Sequence, residues 1–457
     1  MQSTKQKAIK HLKIAIENDK RHLPSVIALC EILSQDGKYD EAETILRETI
    51  GNNCESSELY FSISKIYLKM DKFIESLRSI DKAITLDPNK SKLYKLGSEI
   101  HHANQQAHLS IPYLEKLIEI DGLDGEAHFK LSTLLTDYND IQRRKLLLEI
   151  STDLMPKNVL PIMELALFLI DIANKPTCEK LDKEKYIKET EKLFLQITKI
   201  NPKLGKPWYY LGVLNFNKNK IKEAEDFLCK SLEFDDSKGM SAYKLGTICL
   251  QKNIFPAAEK YFEISLEHKT KKSNSLFEIA LIQLSKRMHK NAIQILEKAI
   301  KEVTKEEVHY YTKSEEYLKL SNFDFARKYL KKGINSKRLH SKILVKLYQA
   351  KKYLDLNQNE ESELKKAIEL DSANYEPYFE LGMVYLKEKK LEEAKSNFSL
   401  ACNNNWSHAE SHFNLGQILS KSKDGESAIM HFQIVLDLNK SHKMAAKLLK
   451  KCLATNN

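Results

Sequence analysis

The chain lacks the sequence features that most enzymes and membrane proteins require. Its 457 residues contain no phosphate-binding loop of the GxGxxG or GxxxxGK[ST] type, no GxSxG turn and no HExxH motif. The most apolar stretch, 159–173, is interrupted by Glu164 and Asp171, so no run of 18 apolar residues exists. We therefore expect no enzyme activity, no catalytic or cofactor-binding residues and no transmembrane segment.

Cysteine, glycine and proline are also sparse. The seven cysteines are scattered, odd in number and form no CxxC pair, and the N-terminus has no apolar stretch of the secretory kind. These features predict reduced thiols in a cytoplasmic protein. With 13 Gly and 10 Pro, the chain suits helices joined by short turns. His408 and His412 have a spacing that could bind metal on one helical face, but no third ligand is evident, so no metal site is predicted.

What the chain does contain is a spacing of 34 residues that recurs almost from end to end. The residues that share it are mostly small, and they fall into two series: Ala8, Ala42, Ser76, Ser110 and Arg144, then Thr190, Ala224, Ala258, Ala292, Ala326, Glu360, Ala394 and Ala428. A period of this length predicts a stack of similar supersecondary units rather than one globular core.

Residues inside one unit indicate its type. The segments 206–236 and 375–406 both carry a Leu-Gly pair early and an alanine twelve residues after the glycine, as in Gly212 and Ala224 or Gly382 and Ala394. The small residues let two helices approach closely while larger ones fill the space between units. This pattern resembles the tetratricopeptide repeat over nearly the whole chain. The resemblance implies an all-α protein, an α-solenoid in which about twelve to thirteen antiparallel helix pairs form a right-handed superhelix.

The phase of the repeat predicts the domain organisation. Residues 1–22 form a half repeat (helix B only), 23–158 a first block of repeats, 159–204 a repeat with an insertion, 205–440 a second block, and 441–457 a C-terminal capping helix and tail. Between Arg144 and Thr190 the spacing is 46, which is twelve more than the period. The polar segment 174–185 is therefore predicted to be a longer loop between helices A and B.

The half repeat at the start has two interpretations. Ala8, Leu12 and Ala15 match the second helix of a unit whose first helix would precede Met1. Either the chain is a piece of a longer protein, such as the docking or regulatory region of a larger enzyme, or a partner or a second copy covers the unmatched apolar face. The second interpretation predicts self-association through this half repeat.

One set of candidate binding residues follows from the family resemblance, which implies that position 5 of each helix A points into a concave groove. Nine of these positions are aromatic: Phe61, Tyr94, Phe129, Tyr209, Tyr243, Phe277, Tyr311, Phe379 and Phe413. We call these nine residues the groove aromatics. They could bury apolar side chains of a peptide or helix from a partner, or they could pack mainly against the adjacent helix. Position 6 is Asn only at Asn414, so peptide binding through an asparagine ladder is not expected.

The second candidate surface is basic. The chain has a net charge of +10, and residues 325–354 hold ten basic residues and no acidic one. This basic window comprises Arg327, Lys328, Lys331, Lys332, Lys337, Arg338, Lys342, Lys346, Lys351 and Lys352. It could attract an acidic protein or an anionic membrane, or it could be a solvated face partly neutralised by glutamates at 306, 307, 315 and 316. Nucleic acid is disfavoured because no base-reading motif is present.

These features predict a scaffold or adaptor that binds peptide or helical segments of other proteins in its groove. The alternatives are the docking region of a larger enzyme, suggested by the half repeat, and an RNA- or membrane-associated helper that uses the basic window. No cofactor is expected under any of them.

Overall fold

The computed structural model describes residues 2–19, 22–51, 55–135, 140–175, 178–319, 323–354, 360–422 and 424–456. Within these ranges the chain is helical, with no strand, and it divides into two compact units, Met1–Pro202 and Lys203–Asn457. The all-α fold predicted from the repeat is confirmed. None of the described helices is both long enough and apolar enough to cross a membrane.

The described residues of the first unit form eleven α-helices and one short 3₁₀ turn. They are α1 (Gln2–Asn18), α2 (Leu23–Gln35), α3 (Tyr39–Gly51), α4 (Ser57–Lys69), α5 (Phe73–Leu86), α6 (Ser91–Ala103), the 3₁₀ turn Ala107–Ser110, α7 (Ile111–Ile120), α8 (Gly125–Leu134), α9 (Ile141–Leu154), α10 (Val159–Ala173) and α11 (Lys180–Ile200). From α2 onward they pack as consecutive antiparallel pairs, and α1 packs against α2.

The second unit begins with two regular pairs and a third that leads into longer helices. Its helices are α12 (Gly205–Asn217), α13 (Ile221–Leu232), α14 (Lys238–Gln251), α15 (Phe255–Glu267), α16 (Lys272–Ser285), α17 (His289–Lys319), α18 (Phe323–Tyr353), α19 (Glu360–Leu370), α20 (Tyr375–Lys387), α21 (Leu391–Asn404), α22 (Ala409–Lys421), α23 (Gly425–Leu438) and α24 (Lys443–Asn456). The final helix, α24, packs against α23.

The small residues of the repeat lie where two helices of a pair touch. Ala224, Ala258 and Ala394 are fully buried. A β-carbon added to Gly382 would lie 2.7 Å from the ring of Phe398, which is closer than real carbon contacts. Only glycine therefore lets this ring of the second helix pack on the backbone of the first.

The turn between the two helices of a pair has a conformation that the repeat did not reveal. Its central residue has a positive φ, and the next residue's N–H bonds the carbonyl oxygen five residues back, which is a Schellman-type ending. The described residues at this position follow the 34-residue period in two series, one before and one after the twelve extra residues: Gly37, Asp71 and Gln105, then Asn219, Asn253, Arg287 and Lys389. Only one is glycine, so the turn is fixed by the helices it joins rather than by local sequence preference.

The predicted loop at 174–185 is wrong in its extent. Helix α11 begins at Lys180 and runs for 21 residues, so most of the extra residues lengthen this helix instead of forming a loop. Residues 176 and 177 lie outside the described part. The segment after 179 is rich in Lys, Glu and Leu, which favour helix, and it offers charge pairs four residues apart such as Lys180 and Glu184.

A larger departure from the repeat occurs in the middle of the second unit. Helices α17 and α18 each have 31 residues, and each spans the second helix of one repeat and the first helix of the next. Helix α5 is followed by Asp87 and Pro88, but residues 302–308 and 336–341 contain neither Pro nor Gly. Since nothing there interrupts the hydrogen-bond ladder, the helix continues through the expected turn.

Candidate functional site

In each compact unit the first helices of neighbouring pairs contact each other. In the first unit α4 touches both α2 and α6, and in the second α12 touches α14, α16 touches α18 and α22 touches α24. We call the surface that these first helices share within a unit the inner face. Eight of the groove aromatics belong to first helices, three in the first unit and five in the second, and Tyr311 belongs to the long helix α17.

The groove aromatics differ in how much surface they leave to a partner. Tyr94 and Phe277 are buried, each with 8% of its surface exposed, and the Tyr94 hydroxyl donates to the carbonyl oxygen of Pro88 at 2.9 Å. Seven are half-buried: Phe61, Phe129, Tyr209, Tyr243, Tyr311, Phe379 and Phe413. These seven rings are the ones with surface left to contact a guest.

Three of the half-buried rings, Tyr243, Phe379 and Phe413, contact an aromatic ring on the second helix of their own pair. The Phe379 ring lies 5.9 Å from that of Phe398, and Phe413 lies 6.2 Å from Phe432. Histidines near the start of the following first helix cover another edge, with His408 at 4.8 Å from Phe379 and His442 at 4.7 Å from Phe413. The rings therefore serve packing and surface at once, so both interpretations of position 5 remain open.

Tyr311 differs because it lies in the long helix α17. A β-carbon added to Gly333 of α18 would lie 3.0 Å from this ring. The ammonium of Lys337 lies 5.0 Å from the ring centre. Val345, the non-aromatic residue that occupies position 5 of the next repeat, is fully buried in α18. The fused helices thus change what this part of the inner face presents.

Position 6, next to the aromatic residue, carries charge that the aromatic pattern did not indicate. On α14 the ammonium of Lys244 lies 3.9 Å from the ring centre of Phe216, and at the start of α16 that of Lys271 lies 4.7 Å from the ring centre of Tyr243. Burial lowers the pKa of Lys244, and the neighbouring Lys271 lowers it further. Burial also lowers the pKa of Lys271. Scanning position 6 for charge as well as for Asn would have found Lys244.

Two more groups, on α14 and α16, have shifted pKa values. Burial raises the pKa of Glu278 on α16, an effect that Lys342 partly offsets. Burial raises the pKa of Tyr243 to about 12, with smaller contributions from Glu278 and Tyr209. Perturbed groups gathered on one accessible surface are a feature of binding sites.

The basic window lies in one helix rather than between two. It falls in α18 apart from its last residue, so the end of one repeat and the start of the next are continuous here. Carboxylates on following helices neutralise part of it: Lys346 pairs with Glu376 at 2.9 Å and Lys352 with Glu380 at 3.0 Å. Lys351 likewise pairs with Glu363 at 2.6 Å.

The rest of the basic window is more open. Lys331, Lys332, Arg338 and Lys342 are exposed, and Lys337 is half-buried against Tyr311. The side chains of Arg327 and Lys328 are not among those that the structure describes. The positive surface is therefore concentrated in the middle of α18 rather than spread along the window.

Of the two spaced histidines, His412 belongs to a buried pair with His431, whereas His408 does not. Nδ1 of His412 lies 2.8 Å from Nδ1 of His431 on α23, and Nε2 of His412 lies 3.0 Å from the carbonyl oxygen of Trp406. His408 instead bonds the hydroxyl of Ser411 at 2.7 Å. In the described ranges no three His, Cys, Asp or Glu side chains are grouped as a metal would require.

A cavity of about 660 Å³ lies between α15, α16 and α17. Its floor includes Leu266, Leu276 and Ile300, and lysines surround its opening. Glu302 bonds Lys305 at 2.9 Å and lies 3.7 Å from Lys272. These contacts lower the pKa of Glu302, and the hydrogen bond from Lys305 has the largest effect. The opening is therefore positively charged.

Comparison with known proteins agrees with this architecture. The tetratricopeptide repeat family matches residues 57–90, 273–302 and 375–405. The first match covers α4 and α5, and the last covers α20 and α21, so each of these two is one helix pair. No curated protein matches the chain.

Several solved structures are similar at low identity. Yeast Tom70 is 12% identical, with 96% of each chain covered and a TM-score of 0.38. The APC/C hetero-tetramer Cut9-Hcn1 is 16% identical over 99% of this chain and 94% of that one, with a TM-score of 0.32. The C-terminal part of a TPR repeat-containing protein from Cytophaga hutchinsonii is 11% identical over 55% of this chain and 99% of that one, with a TM-score of 0.45.

Proposed function

Because the chain carries tetratricopeptide repeats, we propose that it is a non-catalytic scaffold that binds segments of other proteins on the inner face of its helix pairs. The observation that carries this proposal is the set of seven half-buried groove aromatics, which repeat along the first helices and keep part of each ring accessible. An apolar side chain laid on such a ring loses water contact without requiring the ring to reorganise.

The binding mode follows from how the rings are anchored. Phe379 is fixed between Phe398 and His408, and Tyr243 lies 5.5 Å from the ring of Phe262. A rigid row of rings suits a helical or extended segment whose apolar residues recur at a regular interval. Charged neighbours at position 6 then select among such segments.

Site-specific crosslinking tests the location of the groove. A photoreactive phenylalanine analogue is placed at Tyr209 or Phe379 on the inner face. The controls carry it at two exposed positions of second helices, Ile254, which directly precedes α15, and Leu400, which lies in α21. We expect the same partner proteins to be captured from the native cell extract at both inner positions and not at the outer controls. Equal capture at inner and outer positions would refute the groove.

A substitution series completes this test. Tyr209→Ala and Phe379→Ala should reduce recovery of the captured partners while circular dichroism shows unchanged helix content. Phe277 is unsuitable, because its burial means that truncation would create a cavity costing about 3 to 5 kcal/mol. Unchanged recovery with both variants folded would exclude the inner face as the binding surface.

A further inference from the structure

The inner face of α12, α14 and α16 holds two lysines that lack a carboxylate partner. Lys244 contacts the ring of Phe216 and Lys271 contacts that of Tyr243, and within the described residues neither forms an ion pair. Lys271 keeps an exposed side chain even though surrounding protein lowers its pKa, as expected at the rim of a concave surface. Its backbone is also left-handed, with φ of +46°, which is unusual for a lysine.

Lysines at the same position of other repeats are paired. Lys95 bonds Glu126 at 3.0 Å and Asp124 at 3.2 Å, and Lys346 bonds Glu376 at 2.9 Å. In both cases the glutamate lies three residues before the aromatic residue at position 5 of the next first helix, which is position 2 of the repeat. After Lys244 that position is Asn274, so the carboxylate that completes the pair elsewhere is missing here.

The missing partner has an electrostatic consequence. Although burial opposes the charge of Lys95, its hydrogen bonds to Glu126 and Asp124 raise its pKa overall. Lys244 is half-buried and has no such bonds, and a second cation, Lys271, lies close enough to lower its pKa. Two partly desolvated like charges side by side destabilise each other, and an anion between them would remove that cost.

Glu278, the acidic residue that acts on Tyr243, does not fill this role. Glu278 lies on α16, but it forms no ion pair in the described residues, burial disfavours its charged form, and the cation that acts on it is Lys342 of α18. It therefore leaves Lys244 and Lys271 without a neutralising anion. The rings of Phe216 and Tyr243, which the two lysines contact, are apolar surface, so a suitable guest combines a negative group with an apolar one.

We propose that Lys244 and Lys271 form an acceptor site for the side-chain carboxylate of a partner protein, from a segment in which Asp or Glu adjoins an apolar residue. This inference rests on the proposed groove and specifies which chemistry its second unit selects. The carboxylate lies between the two ammonium groups, in the place that Glu126 and Glu376 occupy for their lysines. The apolar neighbour lies on the rings of Phe216 and Tyr243.

The binding test uses defined probes and a matched control. A fluorescein-labelled peptide that alternates Leu and Glu is titrated with the full chain by fluorescence anisotropy, beside a counterpart with Gln for Glu. We expect Lys244→Met and Lys271→Met each to weaken binding of the Glu peptide about tenfold. Lys346→Met, which removes a lysine already paired with Glu376, should leave the affinity unchanged. Equal loss with Lys346→Met, or equal affinity for the Gln peptide, would overturn the proposal.

A converse variant supplies the missing carboxylate from within. Asn274→Glu places a glutamate at position 2, in the first turn of α16, where a negative charge also favours the helix. We expect this variant to fold with an equal or higher melting temperature and to lose binding of the Glu peptide. Retained affinity in a folded Asn274→Glu variant contradicts the assignment.

Two further readouts separate the possible failures. In protein with ¹³C-methylated lysines, the pKa of Lys244 should rise when the Glu peptide binds, and an unchanged pKa counts against direct contact. If a peptide with phosphoserine in place of Glu binds more tightly than the Glu peptide, the group that this site accepts is a phosphate and not a carboxylate. If Tyr209 still crosslinks partners while Lys244→Met has no effect, the groove stands and the lysine site fails; if neither responds, both fail.

Discussion

The buried pair His412 and His431 predicts that the C-terminal repeats lose stability in mild acid. His431 has 9% of its surface exposed and lies with its Nδ1 2.8 Å from that of His412. The pKa of His431 is lowered to about 4, first by burial and then by the neighbouring His412, while Asp424 opposes the shift. The pKa of His412 is lowered as well, first by burial, and the carbonyl of Trp406 opposes this.

The size of the effect follows from the two pKa values of His431. In the unfolded chain a histidine has a pKa of about 6.5, so between 6.5 and 4 the unfolded chain binds a proton that the folded one does not. The stabilisation is therefore complete above pH 6.5 and is lost as the pH falls. At pH 5 the free energy of unfolding should drop by about 2 kcal/mol, and below pH 4 by about 3 kcal/mol.

Urea denaturation followed by tryptophan fluorescence measures this effect locally. The chain has two tryptophans, so a Trp208→Phe background leaves Trp406, next to His412, as the single reporter. His431→Gln keeps a polar group and removes the titration. We expect the midpoint of the parent to fall between pH 7.5 and pH 5 by more than that of the variant. The same fall in both proteins, or a nuclear magnetic resonance titration of His431 centred near pH 6.5, would refute the reasoning.

Two other predictions concern packing and charge. Gly246→Ala places a β-carbon 2.7 Å from the ring of Phe262, so the free energy of unfolding should fall by about 1 to 3 kcal/mol from overpacking. Adding Phe262→Leu to this variant should relieve the clash. Thermal unfolding measures both effects, and the control is Gly51→Ala, whose β-carbon would have nothing within 4 Å. Lys331→Glu combined with Arg338→Glu should slow association of the Glu peptide and flatten its dependence on salt in stopped-flow measurements. An unchanged association rate at low salt removes the middle of α18 from the steering surface.

The sequence was sufficient for the architecture because the contacts that define a repeat are close in sequence. Each small residue of a first helix, such as Gly382, packs within its own pair on residues at fixed offsets, such as Ala394 and Phe398. A period of 34 therefore fixes the helix pairs. It did not predict that α17 and α18 would each run through an expected turn, since the family pattern supplies a turn whether or not a Pro or Gly marks it.

The candidate site was only partly predictable. Position 5 identified the row of aromatic residues, but how much of each ring stays open depends on neighbours from two other helices: Phe277 is buried and Phe379 is not. The order of residues also placed a basic window at 325–354 without showing that Lys346 and Lys352 face carboxylates on a later helix.

What the sequence determined by itself is the helix-pair fold, because periodic burial of small and large residues leaves one way to cover their apolar faces. What only the tertiary structure decided is which charges remain unbalanced. Lys95, Lys244 and Lys346 occupy the same position of their repeats, yet two bond a glutamate of the next repeat and the third lies near another lysine instead. Charge interactions act across space between residues about thirty apart, so the free energy of each lysine is set by what the next helix brings to it.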